Sequence, residues 1–246
     1  MSVKPSRSGS RVLAALEQIA LHQPVGVSEL ARLLGDNIAA AQRAIATLAG
    51  EGYIRLASAR SGQWELTAQI HTIAQHAYGN NDLRRRARPA LEELWRETGE
   101  SVLLNVPDGG RFVVIDVLES QHYLRTAPPV GMIIPTLRSS TARAILPHMQ
   151  PAEQLAYLGA APDAEMLADF HQTIAQGYAI SEGDVVAGST NIAAPILEFD
   201  RRPVGAVLIS APADRALQSE YARLGAMVLA TARKLSRGQP EALNPA

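Results

Sequence analysis

Residues 28–66 read SELARLLGDNIAAAQRAIATLAGEGYIRLASARSGQWEL. Ser28 can accept a hydrogen bond from free helix N–H groups, so SELARLL is expected to form a short helix that Gly35 stops. A short turn containing glycine lets two helices cross steeply. Asp36 or Asn37 then caps a second helix through IAAAQRAIATLAG. Ile38, Ala41, Ile45 and Leu48 recur at helical spacing and form its expected buried stripe. Ala39, Ala40, Arg43 and Thr47 lie opposite, with Gln42 on the flank. Small residues with one arginine suit a helix lying in a DNA major groove. GYIRLASARSGQWEL supplies strand, basic turn and strand, a wing in which Arg60 and Gln63 support the reading helix. The segment reads as a winged helix-turn-helix; the competing reading is a three-helix packing module without DNA contact.

The chain has 246 residues, long enough to favour two domains, and 47% of them are apolar. It has no cysteine, which excludes disulfides and cysteine-ligated zinc and suits a reducing cytoplasm. Glu17 and Gln18 interrupt VLAALEQIAL, so the basic N-terminus fails as a signal peptide. Charge-free runs such as residues 185–197 are too short to span a bilayer. A net charge of −1 looks wrong for a DNA binder until it is divided. Residues 1–75 carry seven Lys/Arg against five Asp/Glu, and the excess of acid lies in the remainder. The nucleic-acid face therefore belongs to the N-terminal part, where Arg7 and Arg11 add cations. So small an excess fits docking through a few placed arginines, doubled by dimerisation.

Residues 1–9 are expected to be disordered alone, and RVLAALEQIAL to form a first helix with Val12, Leu13, Leu16, Ile19 and Ala20 toward the core. After the wing, TAQIHTIAQHAYG and DLRRRARPALEELWRETG read as linker helices. Asn81 or Asp82 caps the second, Gly99 closes it, and Pro89 marks a kink or late start. Its arginines, Arg84, Arg85, Arg86 and Arg88, either touch phosphates or a partner subunit or form an exposed basic face. From Ser101 the pattern changes. SVLLNV and RFVVIDVL flank a Pro-Asp-Gly turn as a hairpin, and APPVGMIIPT gives loop and strand. SSTARAILPHM, PAEQLAYL and ADFHQTIAQ are helical, and STNIAAPILEF and PVGAVLISAP are further strands. Leu217, Tyr221, Leu224, Val228 and Leu235 mark a final helix. This is an antiparallel α+β domain. The expected division is 1–67 DNA-binding domain, 68–98 helical linker, 99–237 effector domain and 238–246 flexible tail.

No nucleophile elbow, phosphate-binding glycine loop or dinucleotide turn is present. His71 and His76 do not share a helical face, and the other histidines are scattered. The sequence thus implies no catalytic residue, no metal and no cofactor. Ser139, Ser140 and Thr141 open a helix, where hydroxyls serve as caps or as ligand contacts. A helix N-terminus suits a carboxylate or phosphate, and Arg138 sits just before it.

From about Arg11 to Lys234 the chain resembles the isocitrate-lyase-regulator (IclR) type of bacterial transcription factors. SELARLLG…RAIATLAGEGYI resembles that family's DNA-reading segment. LRTAPPVGMIIPTLRSSTARAIL resembles its pocket segment, and QGYAISEGDVVAGSTNIAAPI with PVGAVLISAP its third signature. The resemblance implies a winged helix domain joined to a GAF-like effector domain, working as a dimer or dimer of dimers on double-stranded operator DNA. It also implies a small-molecule effector, often an organic acid. Carried over by position, the pocket is lined by Ser139, Ser140, Thr141, Ser181, Asn191, Leu208 and Ser210, with Met132 and Ile134 walling an apolar side. Ala142-Arg143 stands where Gly-Lys is usual, Asn191 where cysteine is common and Ser181 where an acid is frequent. In the reading helix Ala39 and Ala40 replace Ser-Thr, and Asn37 replaces proline. The implied activity is repression controlled by a metabolite; a hydrolase or transferase with an appended DNA-binding domain is the alternative.

Overall fold

The computed structural model describes residue 4 and residues 6–58, 61–78 and 83–237. The chain divides into two compact units, one ending at Asp82 and the other beginning at Leu83.

In the first unit, helix α1 (Arg7–His22) begins earlier than the periodicity implies, because the Ser6 hydroxyl accepts the Gly9 N–H. Ala15 and Ile19 are its buried residues, flanked by Val12 and Leu16. Leu13 and Ala20 face solvent, one position off the expected stripe. Strand β1 (Val25–Gly26) pairs with the wing and runs straight into α2 (Val27–Leu34). Extended Gly26 therefore starts α2, and Ser28 is an exposed first-turn residue instead of the expected cap. Gly35 ends α2 at φ 61°, the left-handed conformation the turn requires. Helix α3 (Ile38–Gly50) is capped by Asn37, whose Oδ1 accepts the Ala40 N–H at 2.9 Å. Strands β2 (Ile54–Leu56) and β3 (Gln63–Leu66) complete a three-stranded antiparallel sheet of order β1-β3-β2. Helix α4 (Gln69–Tyr78) follows.

The second unit opens with α5 (Leu83–Thr98), within the segment expected as linker. Leu91 and Leu94 are 0% and 1% exposed and join the core of this unit. Each such burial is worth roughly 1.5–3 kcal/mol, enough to make α5 structural. Its arginines meet acids of the same unit: Arg88 Nη1 lies 3.1 Å and Arg84 Nε 3.6 Å from Asp116, and Arg86 lies 3.9 Å from Glu198. Arg85 is exposed. The helix runs through Pro89 without a late start.

Strands β4 (Ser101–Asp108) and β5 (Arg111–Leu118) form the expected hairpin, but Pro107 and Asp108 belong to the strand. The turn is Gly109-Gly110, with φ 54° and 80°. A two-residue hairpin turn of this kind needs positive φ at both positions, which proline cannot supply. With β6 (Ile133–Ile134), β7 (Ala179–Glu182), β8 (Ser189–Leu197) and β9 (Pro203–Pro212) they make one antiparallel sheet of order β6-β5-β4-β9-β8-β7. One face packs on α5 and on α9 (Tyr221–Leu235) through Ile192, Ala194, Val207, Ile209 and Val228. Leu217 lies before α9, at the cap of a short 3₁₀ turn. The other face meets α6 (Ser140–Ile145), α7 (Pro151–Leu158) and α8 (Ala164–Gln176) through Leu103, Ala193, Leu208, Ile145 and Phe170. Among the described residues no helix is long and apolar enough to cross a membrane. The expected tail at 238–246 lies outside the described residues.

Candidate functional site

Helix α3 buries Ala40, Ala41, Ala44, Ile45 and Leu48. Two residues expected in the opposite roles exchange places. Ala40 is 1% exposed and cannot reach DNA, whereas Ile38, the first residue of the helix, is 51% exposed and lies beyond the packed surface. The outward face carries Ala39, Gln42, Arg43, Ala46 and Thr47. Asn37 is exposed but spends its side-chain oxygen on the cap, and the Thr47 hydroxyl donates to the Arg43 carbonyl at 3.0 Å. Arg7 is exposed at the start of α1. Arg11 is held in an ion pair with Asp36, so α1 is tied to the turn before α3 and the charge is partly neutralised. Gln63 is half-buried in β3 opposite Gly26, and Arg60 lies outside the described residues.

In the second unit, Met132, Ile134, Ser139, Ser140, Thr141, Ser181, Asn191, Leu208 and Ser210 all line one cavity of about 290 Å³. Sheet pairing explains their convergence. Ser181 pairs with Asn191 and Asn191 with Ser210, so three adjacent strands present a row of polar side chains. Leu208 lies two residues before Ser210, hence on the same face. Residues 139–141 cross above that row, each no more than 2% exposed.

Hydrogen bonds determine what these groups still offer. Ser139 Oγ accepts the Ala142 N–H at 3.2 Å as cap of α6, and Thr141 Oγ1 accepts from Asn105 Nδ2 at 2.7 Å. Both hydroxyls therefore keep a proton to donate. Ser210 and Thr126 share a hydrogen bond at 2.8 Å. Asn191 donates from Nδ2 to Ser189 Oγ at 3.1 Å. Ser181 Oγ is buried without a hydrogen-bond partner among the described residues.

The charged groups around α6 are placed as follows by the fold. Helix α6 has only six residues, too few for a strong N-terminal dipole, and Ser139 already fills its cap. Arg138 adopts φ 69° and lines a different cavity with Asp163, Glu165 and Asp169, so it does not clamp a ligand beside Ser139. Arg143, at the usual lysine position, pairs with Asp169 at 2.9 Å and donates to the Ile180 carbonyl. The cation on the cavity wall is instead Arg125, held by Glu119 at 3.0 Å. Arg125, Thr126, Ala127, Pro128, Val185 and Val186 complete the lining and escaped the sequence reading. Their signals are the LRTAPP run and the valine pair between Gly183 and Gly188.

The first unit is thus a winged helix with an exposed face on α3, and the second a sheet domain enclosing a polar-walled cavity. The family model described as bacterial transcriptional regulator IclR C-terminal matches residues 75–237, and the chain belongs to that family. It is 25% identical over 244 residues to the transcriptional repressor IclR of Escherichia coli (strain K12), covering 94% of this chain and 89% of that one. It is 27% identical over 208 residues to the regulator KipR of Bacillus subtilis (strain 168), covering 80% and 82%. The fold matches the crystal structure of an IclR transcriptional regulator from Alicyclobacillus acidocaldarius with a TM-score of 0.77 at 18% identity, over 95% of this chain and 98% of that one. The protein is thus a bacterial DNA-binding transcriptional regulator and not an enzyme.

Proposed function

We propose that this regulator is a repressor whose hold on operator DNA is set by a small carboxylic acid bound in the cavity of the second unit. The observation that carries the reading is the convergence of nine residues, from β6, the start of α6, β7, β8 and β9, on one cavity of about 290 Å³. Ser139 and Thr141 have protons left to donate, and Arg125 adds a cation at the wall. No acidic side chain lines the cavity among the described residues, so an anion enters without like-charge cost. Met132, Ile134, Val185, Val186 and Leu208 receive an apolar body, aliphatic or aromatic.

On the DNA side, α3 enters the major groove with Ala39, Gln42, Arg43 and Thr47 toward the bases. Arg7, Asn37 and the wing residue Gln63 approach the backbone. A reading head of net +2 is too weakly charged to hold a site alone, and Ile73 is 47% exposed on α4. We therefore assign a homodimer or dimer of dimers on a pseudo-palindromic operator, acting in the cytoplasm. The test combines mobility shift of DNA flanking the gene, sedimentation, and calorimetry against small acids and their amides. Specific retardation, a dimer or tetramer, and binding of an acid but not its amide are expected. Tight binding of an uncharged ligand, insensitive to Ser140→Ala and Asn191→Ala, would overturn the acid reading.

A further inference from the structure

We infer that the acid recognised by this cavity carries a hydroxyl group, read jointly by Asn191 and Ser181. The inference rests on the reading of the cavity as an acid site and adds what the other end of the ligand must be.

The argument starts at Ser189, whose hydroxyl donates its single proton to the Val186 carbonyl at 2.7 Å. Toward Asn191 that oxygen can therefore only accept, and it does so from Nδ2 at 3.1 Å. The amide orientation is thereby fixed, because turning it over would set Oδ1 against an oxygen with no proton to give. Asn191 Oδ1 is left with no donor among the described residues, in a side chain that lines the cavity and is 9% exposed as a residue. Ser181 stands directly opposite on the neighbouring strand, 1% exposed, and its Oγ has no partner among the described residues. Directly opposed side chains on adjacent strands begin about 4.5–5.5 Å apart at Cβ, so one ligand atom can reach both.

The chemistry of that atom is restricted. Asn191 Oδ1 only accepts, so the ligand must donate to it. Ser181 can donate in return, to a lone pair on the same atom. A hydroxyl satisfies both. A ketone or second carboxylate turns lone pairs on Oδ1, and a C–H leaves Asn191 Oδ1 without a donor and Ser181 Oγ buried without a partner. An ammonium finds no acidic side chain in the lining to balance it. Ser210 already shares a hydrogen bond with Thr126, whereas Ser181 Oγ has no partner among the described residues.

The experiment is titration calorimetry of the full chain with two matched sets: propionate, lactate and pyruvate, and benzoate, its 3- and 4-hydroxy forms and 4-formylbenzoate. The expected result is that, in the set that fits, the hydroxy acid binds roughly tenfold or more tighter than its deoxy and oxo counterparts. That preference is expected to shrink to within about threefold in Asn191→Ala. Ser181→Ala provides the same comparison should Asn191→Ala fail to fold. If acids bind but the hydroxy forms hold no advantage, the inference is overturned and the acid site stands. If no acid in either set binds, the acid reading falls and the inference with it.

Discussion

Asn105, on the central strand β4, donates from Nδ2 to Thr141 Oγ1 at 2.7 Å, with both residues buried to within 1%. A sheet strand thus decides the direction in which a cavity hydroxyl can donate. Thr141→Val keeps the shape and removes the acceptor, stranding the Asn105 amide in the core. It is expected to lower unfolding free energy by about 1–3 kcal/mol and to weaken acid binding, whereas Thr141→Ser retains both. Urea denaturation checks the first effect; an unchanged midpoint for Thr141→Val would contradict it.

Arg43 is the one cation on the exposed face of α3. Arg43→Ala is expected to weaken operator binding by about 1–3 kcal/mol if the guanidinium reads a base, with the melting temperature unchanged. Fluorescence anisotropy on labelled operator measures the loss. Wild-type affinity in a folded variant would remove α3 from the groove.

Asp36 accepts the Asn37 N–H at 2.8 Å, and this bond, with Arg11 beside it, holds its carboxyl below the ordinary value of 3.8 despite some desolvation. A carboxylate depressed by folding stabilises the native state above its unfolded pKa, and the contribution fades as pH falls through the folded value. Asp36→Asn should therefore be less stable than wild type at neutral pH, and the difference should close as pH drops below 3.8. Thermal melts of the two proteins across that range test the sign; a gap that widens in acid refutes it.

Gly225 sits within α9 directly against the Tyr178 ring, where an added Cβ would fall 2.4 Å from Cζ. Gly-to-Ala in a helix normally gains about 1 kcal/mol, but overpacking of this kind costs about 1–3 kcal/mol. The collision involves the ring itself, so Gly225→Ala is expected to be destabilising by about 1 kcal/mol or more in chemical denaturation. A stabilised variant would mean that Tyr178 swings aside freely.

Much of this was legible in the chain. Gly35, Asn37 and the alternation of QWEL locate the winged helix, because caps and period-two strands are local signals. The resemblance over residues 139–141, 181, 191, 208 and 210 names a set that the fold gathers at one cavity. Misreadings arose where distant partners decide. Ser28 loses the cap because β1 pairs with Trp64 and Gln63, nearly forty residues away. Ala40 is buried and Ile38 exposed because α3 is seated by α1 and α2, a choice invisible to its own periodicity. The place of Arg138 stayed open in the sequence, and its left-handed backbone conformation sets it at a different cavity from Ser139.

Strand β8 is buried at every residue from Ser189 to Leu197. Its even-numbered side chains, Ile192, Ala194 and Ile196, belong to the layer beneath α5 and α9, and Asn191 and Ala193 to the layer of the cavity. Two selective pressures are therefore written into one strand with alternating parity. Substitution at Asn191 changes the cavity wall, while the even positions keep the helices seated. Within this family, divergence along β8 should then show a two-residue rhythm, with sensory drift on one beat and architectural constancy on the other.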